Sequence, residues 1–220
     1  MFLIIGHPRS ATLYIANTLR HLGYDVGHES GQGYEPAGRP RHWSTGKDGN
    51  VSYLFRTHDR DDVRILYHVK EYGHVVHQVR HPLKVISSMK IEGLKIFHNM
   101  IDVIGYPRPW EMKGNFYLNL HWWAMYTWYH WNLFCGKHAS WTYRIEEIDA
   151  AFPELLSRLG LGLRGQALPR VDRKTNTRSN DLKRSAGYHL VGWQRLEQID
   201  PELTKRCRDL AAQYGYEEEP

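Results

Sequence analysis

The chain has 220 residues and a hydrophobic share of 41%, which are the size and composition of one ordinary globular domain with a full core. Its formal net charge of +5 fits an anionic small ligand, an acidic substrate, a nucleic acid or a solubilising surface, and does not choose among them. Apolar runs are too short to cross a membrane, and Cys135 and Cys207 lack metal-ligand spacing. We therefore expect no membrane span, no metal site and a reduced, cytoplasmic location, with a disulfide between the two cysteines as the alternative.

The first predicted unit is a buried strand, a polar turn and a helix. The strand covers residues 2–5, and the helix covers about 11–22, with apolar residues at helical spacing along one face. A strand that leads into a helix through a short turn leaves backbone N–H groups unpaired at the helix start. Arg9, Ser10 and Thr12 lie beside those groups. The unit therefore suits a phosphate or a sulfate.

A second short strand is predicted at residues 24–27. Glu29 follows it, at the edge of the sheet where open α/β proteins bind ligands. Residues 31–50 are rich in Gly, Pro, Ser and Arg and are too many for a plain connector. We predict a substrate-covering loop there, with a simple surface insertion as the equal alternative. Residues 51–67 are ambiguous between helix and strand.

The pattern of strand, basic turn and helix then occurs a second time. A strand is predicted at residues 73–80, the turn is Arg80-His81-Pro82, and a helix covers about 83–91. The remaining predictions are a helix and loop at 92–115, an aromatic helix at 116–137, a strand at 140–145, helices at 146–159 and 201–214, and a basic loop at 163–190. We predict a single α/β domain over residues 1–220. A mostly parallel sheet of four or five strands is flanked by helices in three layers.

The first turn differs from a nucleotide triphosphatase loop, because Pro8-Arg9-Ser10-Ala11-Thr12 lacks the Gly-Lys-Ser/Thr ending of a Walker A motif. Taken together, the two turns resemble the sulfotransferases that use 3′-phosphoadenosine 5′-phosphosulfate (PAPS). In that family a Pro-Arg/Lys-Ser-Gly-Thr turn holds the 5′-phosphosulfate. A later Arg-x-Pro motif, with a serine eight positions after the arginine, holds the 3′-phosphate. Arg80, Pro82 and Ser88 have that spacing.

The resemblance extends from residue 2 to residue 216. Tyr143-Arg144-Ile145-Glu146-Glu147-Ile148 resembles the end of a family strand, and residues 210–216 resemble its last helix. The resemblance to this family implies a P-loop, sulfotransferase-like fold. It also implies transfer of a sulfuryl group from PAPS to a hydroxyl or amine, with adenosine 3′,5′-bisphosphate (PAP) as the product and no metal. The acceptor is expected to be a small molecule or glycan, and no nucleic-acid partner is expected.

The resemblance also implies roles for individual residues. Arg9 is expected to stabilise the departing phosphate electrostatically, since arginine stays charged and needs no metal to do so. Ser10 and Thr12 are expected at the 5′-phosphate, and Arg80 and Ser88 at the 3′-phosphate, with Ser87 as a substitute for Ser88. The cofactor-binding set is completed by Pro8, Ala11, Leu13, Arg173, Lys174 and Arg178. Arg173-Lys174 resembles a late Arg-Lys-Gly motif of the family, with Thr175 in place of the glycine. Either this pair or Arg178 is expected to close over the 3′-phosphate, with a solvated surface loop as the equal alternative.

Two positions of the first turn depart from the family pattern. Ala11 replaces the usual glycine, which a side chain tolerates only if its φ angle stays negative. Leu13 replaces a frequent serine or threonine. Both departures leave room for a weakly active enzyme, or for a catalytically inactive protein that binds PAP or PAPS. A basic nucleic-acid-binding module is a further alternative, to be recognised by strongly salt-dependent binding.

The general base has two main candidates. His58 lies in Arg56-Thr57-His58, which resembles the Lys-Thr-His of cytosolic sulfotransferases. Glu29 follows the second strand, where several family branches have a catalytic glutamate. Glu35 and His28 are further options. The aromatic run at residues 121–132 is hydrophobic nearly all round, which predicts core packing, with an acceptor-lining role as the alternative.

Overall fold

A five-stranded, all-parallel sheet forms the centre of the computed structural model, which describes residues 1–28, 46–53, 55–56, 67–89, 100, 119–162 and 190–217. The strands are β1 (Phe2–Gly6), β2 (Val26–His28), β3 (Gly49–Ser52), β4 (Phe55–Arg56), β5 (Tyr67–His68), β6 (His74–Val79) and β7 (Trp141–Arg144). The sheet order is β2-β3-β1-β6-β7, and β4 and β5 form a separate parallel pair. An α/β fold with a parallel sheet, as predicted, is confirmed.

Helices cover both faces of this sheet. They are α1 (Thr12–His21), α2 (Pro82–Met89), α3 (Leu120–Gly136), α4 (Ile148–Arg158), α5 (Trp193–Glu197) and α6 (Pro201–Gln213), with 3-10 turns at Val69–Glu71 and Ile145–Glu147. The helices α1 and α4 share a core with Phe2 and Ile4. The other four share a core with Leu3 and Ile5 on the opposite face. Because both faces of β1 are buried, its sequence is a continuous apolar run.

The helix α3 is the longest of the four described helices that pack on the Leu3 and Ile5 face of the sheet. Its tryptophans Trp123, Trp128 and Trp131 are each exposed by less than 2%. The indole Nε1 of Trp131 donates to the Gly6 carbonyl at 3.0 Å, which connects the helix to the carboxyl end of β1. The predicted core-packing role of this aromatic helix is therefore confirmed.

The strand β3 differs from the sequence prediction. Gly49 and Asn50 were expected in the long loop, whereas they belong to a central strand between β2 and β1. Gly49 lies opposite Phe2, and a Cβ atom at residue 49 would be 2.5 Å from the Phe2 ring. Only glycine fits under that ring. Glycine normally weakens a strand, and here it marks the place where the backbone of β3 comes close to the Phe2 side chain. The short helix α5 was not predicted.

Cys135 and Cys207 are buried, free thiols. Among the residues that the structure describes, no helix has the length and apolarity needed to cross a membrane. Within the same residues, no cluster of three or more His, Cys, Asp or Glu side chains has an arrangement that would hold a metal ion.

Candidate functional site

The strands β1 and β6 are neighbours, and the helices that follow them pack on opposite faces of the sheet. This reversal creates a crevice outside the carboxyl ends of the two strands, where open α/β sheets bind their ligands. The two basic turns of the sequence leave the sheet at this crevice, since one follows β1 and the other follows β6. Residues that are about 70 positions apart in sequence thus meet at one end of the sheet.

Two hydrogen bonds join the turns directly. The Arg9 Nε–H donates to the Ser88 hydroxyl at 2.9 Å, and an Arg80 guanidinium N–H donates to the Arg9 carbonyl at 2.9 Å. Ser87 faces elsewhere, because its hydroxyl accepts from the Val191 N–H at 2.8 Å. Of the two serines considered from the sequence, Ser88 is therefore the one at the site.

The backbone of the first turn is strained at two non-glycine residues. Arg9 has a φ of 71° and Ala11 a φ of 66°, both in the left-handed region. The premise that a side chain at position 11 requires a negative φ therefore does not hold, since Ala11 is itself in the left-handed region. A left-handed conformation costs a residue with a Cβ atom about 1–2 kcal/mol. Such strain persists only where surrounding contacts impose it.

Hydrogen bonds within the turn, and from side chains in and after β6, hold this conformation. The His7 Nδ1–H donates to the Pro8 carbonyl at 2.6 Å, and the Ser10 N–H donates to the His7 carbonyl at 3.1 Å. The Gln78 side-chain amide donates to the Ser10 carbonyl. The Tyr143 hydroxyl in turn donates to Gln78 Oε1 at 2.5 Å. Three consecutive carbonyls, from Pro8 through Ser10, are thus held by side chains, with Arg80 on the middle one.

The turn presents unused donors at the start of α1. The backbone N–H groups of Ala11, Thr12 and Leu13 have no acceptor within the described part of the chain. The Ser10 hydroxyl is fully buried and likewise has no partner there. The first turn of α1 contains no acidic residue. A buried hydroxyl and unpaired N–H groups at a helix N-terminus are the requirements of an oxyanion site.

His28 also lies at the candidate site, although it was predicted only as a further option for the general base. It lies at the carboxyl end of β2, is 6% exposed, and has its Nε2 atom 3.2 Å from the Thr12 hydroxyl. Burial, with the nearby Arg20 guanidinium, lowers the pKa of His28 to about 4. The imidazole is therefore neutral at pH 7 and orients Thr12 by a hydrogen bond. His7 and Gln78 were also missed, since neither a single histidine after a strand nor a single glutamine within one has a local signature of function.

The second turn is held by the end of the chain. The carboxylate of Glu146 accepts from the His81 backbone N–H at 3.1 Å and from the Tyr216 hydroxyl at 2.9 Å. Burial raises the pKa of Tyr216, and the Glu146 carboxylate raises it further. The Arg144 guanidinium donates to the Gly215 carbonyl. The segment that follows α6 therefore packs at the carboxyl ends of β6 and β7, next to the candidate site.

The described part of the chain includes eight of the predicted cofactor-binding residues. Pro8 is buried in the first turn, Leu13 is partly exposed on α1, and Arg9, Ser10, Ala11, Thr12, Arg80 and Ser88 all lie at the crevice. The other predicted site residues, Glu29, Glu35, His58, Arg173, Lys174 and Arg178, lie outside the described residues, as do most of the loop 31–50 and nearly all of the loop 163–190.

Comparison with known proteins adds no family to this picture: no family model matches the chain, and no curated protein sequence matches it significantly.

Proposed function

We propose that this protein transfers a sulfuryl group from PAPS to a hydroxyl or amine acceptor. The observation that carries the proposal is the direct contact of the two basic turns, through Arg9 with Ser88 and through Arg80 with the Arg9 carbonyl. PAPS has anionic groups on both its 3′ and 5′ oxygens, so it needs two cationic subsites side by side. A single helix N-terminus supplies only one such subsite.

The residues of the first turn suit the 5′ end of this nucleotide. The buried Ser10 hydroxyl and the N–H groups of Ala11 and Thr12 are donors that lack acceptors in the described part of the chain. Sulfuryl transfer builds negative charge on the bridging oxygen of the departing phosphate. The Arg9 guanidinium is always protonated, so it would stabilise this charge electrostatically and would not act as a proton donor.

The residues of the second turn suit the 3′ end. Arg80 supplies a cation, and Ser88 supplies a hydroxyl that already accepts from Arg9. Recognition of a 3′-phosphate would distinguish PAPS and PAP from AMP and ATP. Glu29 and His58 remain the proposed general bases, and a small molecule or a glycan the proposed acceptor. The proposal includes a cytoplasmic location, to which the free, buried thiols Cys135 and Cys207 are suited.

Calorimetric titration with PAP, with AMP and ATP as controls, tests this proposal. We expect PAP to bind more tightly than either control. The substitutions Arg9→Ala and Arg80→Ala should each weaken PAP binding by about 10- to 100-fold, which is the loss of a hydrogen bond to a charged group. Only Arg80→Ala should also remove the preference for PAP over AMP. Lys205→Ala removes an exposed cation of α6 and is the matched control.

Other results would favour the alternatives. Equal binding of PAP and AMP, or no binding, would contradict the proposal. Binding of PAP without transfer of labelled sulfate from PAPS to any hydroxyl or amine acceptor would indicate an inactive nucleotide-binding protein. Strongly salt-dependent binding to DNA or RNA, with no PAP binding, would indicate a basic nucleic-acid-binding module.

A further inference from the structure

A buried chain of hydrogen bonds runs from the edge strand of the sheet into the first turn. It starts at the Tyr143 hydroxyl on β7, passes through the side-chain amide of Gln78 on β6, and ends at the Ser10 carbonyl. Gln78 is 0% exposed and Tyr143 is 4% exposed, so water does not compete for these bonds. The sequence singles out Tyr143 only as part of a strand end that resembles the family, and it does not mark Gln78 for a role at the site.

The direction of each bond follows from the chemistry of the groups. A backbone carbonyl only accepts, so the NH₂ group of Gln78 must face Ser10. The Oε1 atom of Gln78 therefore faces Tyr143, whose hydroxyl must donate. Burial raises the pKa of Tyr143, which keeps this hydroxyl protonated. The amide of Gln78 thus has one orientation, and Tyr143 holds it there.

The hydrogen bond to Ser10 also sets the direction of the next N–H group. A trans peptide unit is planar, and its C=O and N–H bonds point in opposite directions. When Gln78 holds the Ser10 carbonyl, the N–H of Ala11 must point away from Gln78. This N–H is one of the donors without an acceptor among the described residues. Ala11 has a φ of 66°, so the peptide is held where an alanine would not place it unaided.

We propose that Gln78, supported by Tyr143, is a positioning residue that directs the Ala11 N–H into the anion subsite of the first turn. The inference rests on the proposed function, because it assigns Gln78 to the 5′-phosphate end of the same site. Gln78 itself does not touch the ligand. It acts through the Ser10–Ala11 peptide, and its effect is on the affinity of the turn for a phosphate-type anion.

The test uses inorganic pyrophosphate as the probe and the amide resonance of Ala11 in the ¹⁵N-labelled full chain as the readout. Gln78→Met removes the donor at nearly constant length, and Tyr143→Phe removes the hydroxyl that orients Gln78. Thr142→Val is the matched control. It removes a bond from β7 to His77 on the opposite face of the sheet, where Thr142 Oγ1 and His77 Nδ1 are 3.4 Å apart.

We expect pyrophosphate to shift the Ala11 amide resonance in the wild-type chain and in Thr142→Val. Gln78→Met should bind pyrophosphate about tenfold more weakly and lose this shift, which is the effect of one buried hydrogen bond. Tyr143→Phe should weaken binding by about threefold, because Gln78 keeps its donor but loses its fixed orientation. Thermal unfolding of each variant checks that it is folded. If Gln78→Met does not fold, Tyr143→Phe decides.

The outcomes separate this inference from the proposed function. If Gln78→Met and Tyr143→Phe both bind pyrophosphate with the affinity of the wild-type chain and show the same Ala11 shift, the role of Gln78 is overturned, even if PAP is preferred over AMP. The Ala11 shift could be lost in Gln78→Met and Tyr143→Phe while the wild-type chain shows no preference for PAP over AMP. That combination would support the role of Gln78 and contradict sulfuryl transfer. Failure of the wild-type chain to bind pyrophosphate would overturn the inference.

Discussion

Arg9 and Ala11 have backbone conformations that their side chains disfavour, and both lie in the turn where the candidate site is built. The contacts that impose these conformations come from His7, Gln78 and Arg80. Strain of this kind is common at sites where a protein prepares its backbone for a ligand. Here the result is a run of N–H groups without acceptors among the described residues, which is what the proposed anion subsite requires.

Glycine at position 11 should relieve part of this strain. We expect Ala11→Gly to raise the free energy of unfolding by about 0.5–1 kcal/mol, because relief of the left-handed alanine exceeds the added freedom of the unfolded chain. Urea denaturation followed by circular dichroism measures it. Ala212→Gly in α6 is the control and should lower stability by about 0.5–1 kcal/mol, since glycine weakens an ordinary helix. Equal losses at both positions would contradict the left-handed conformation of Ala11.

At the scale of elements, the ends of α3 and α6 are joined by one carboxylate. Asp200 caps α6, where its Oδ1 accepts from the Leu203 N–H at 2.9 Å. Its Oδ2 accepts from the indole Nε1 of Trp122 on α3 at 2.8 Å. Trp122 is 3% exposed, so this bond is shielded from water. The helices α3 and α6 thus begin at a shared, part-buried polar contact.

Removal of this carboxylate should destabilise the fold measurably. We expect Asp200→Ala to lower the free energy of unfolding by about 2 kcal/mol, from the lost helix cap and the lost bond to Trp122. Chemical denaturation is the measurement. Asp209→Ala removes an exposed ion pair with Lys205 from the same helix and should cost less than about 0.5 kcal/mol. If the two variants lose the same amount, Asp200 does not have this role.

Asp200→Asn separates the two contributions. Asparagine is a good N-cap residue, so the variant should keep most of the stability that Asp200→Ala loses at the start of α6. Its amide has one oxygen instead of two, so the cap and the indole then compete for a single acceptor. An intermediate stability is therefore the expected outcome.

At the scale of the whole molecule, the sheet buries histidines that must stay neutral. Burial, with a smaller effect of the neighbouring His77, lowers the pKa of His7 to about 3, although its bond to the Pro8 carbonyl opposes this shift. Burial lowers the pKa of His77 to about 4, although its bond to Asn132 opposes this shift. Both side chains are 0% exposed. In the unfolded chain the same groups take up protons near pH 6.5.

Stability should therefore fall in mild acid. Between pH 6.5 and about 4 the unfolded chain binds protons that the folded chain does not, so the free energy of unfolding falls as the pH is lowered. The slope is about 1.4 kcal/mol per pH unit for each such histidine. Urea midpoints from pH 7.5 to pH 5 measure it. His77→Asn should reduce the slope by one histidine, and a flat profile in the wild-type chain would contradict the buried neutral state.

Local sequence determined the elements whose signals lie in adjacent residues. The apolar run of β1, the turn and the helix after it, the aromatic helix α3 and the helix α6 were all predicted within a few residues. Periodicity and turn composition are set by neighbours in the chain, which is why these predictions were confirmed. The resemblance of the two basic turns to a nucleotide site depends on the same local signals.

Tertiary structure alone decided the rest, because the deciding contacts join distant residues. Gly49 pairs with Phe2 of β1 and lies beneath its ring, and the sequence around residue 49 does not indicate this long-range contact. The spacing after Arg80 favoured Ser88 and left Ser87 as a substitute, and the packing of α2 decided between them by turning Ser88 towards Arg9. The conformation of Ala11 is imposed by side chains about 70 positions further along the chain. Long-range packing overrides local preference at these positions, and they are the ones that shape the candidate site.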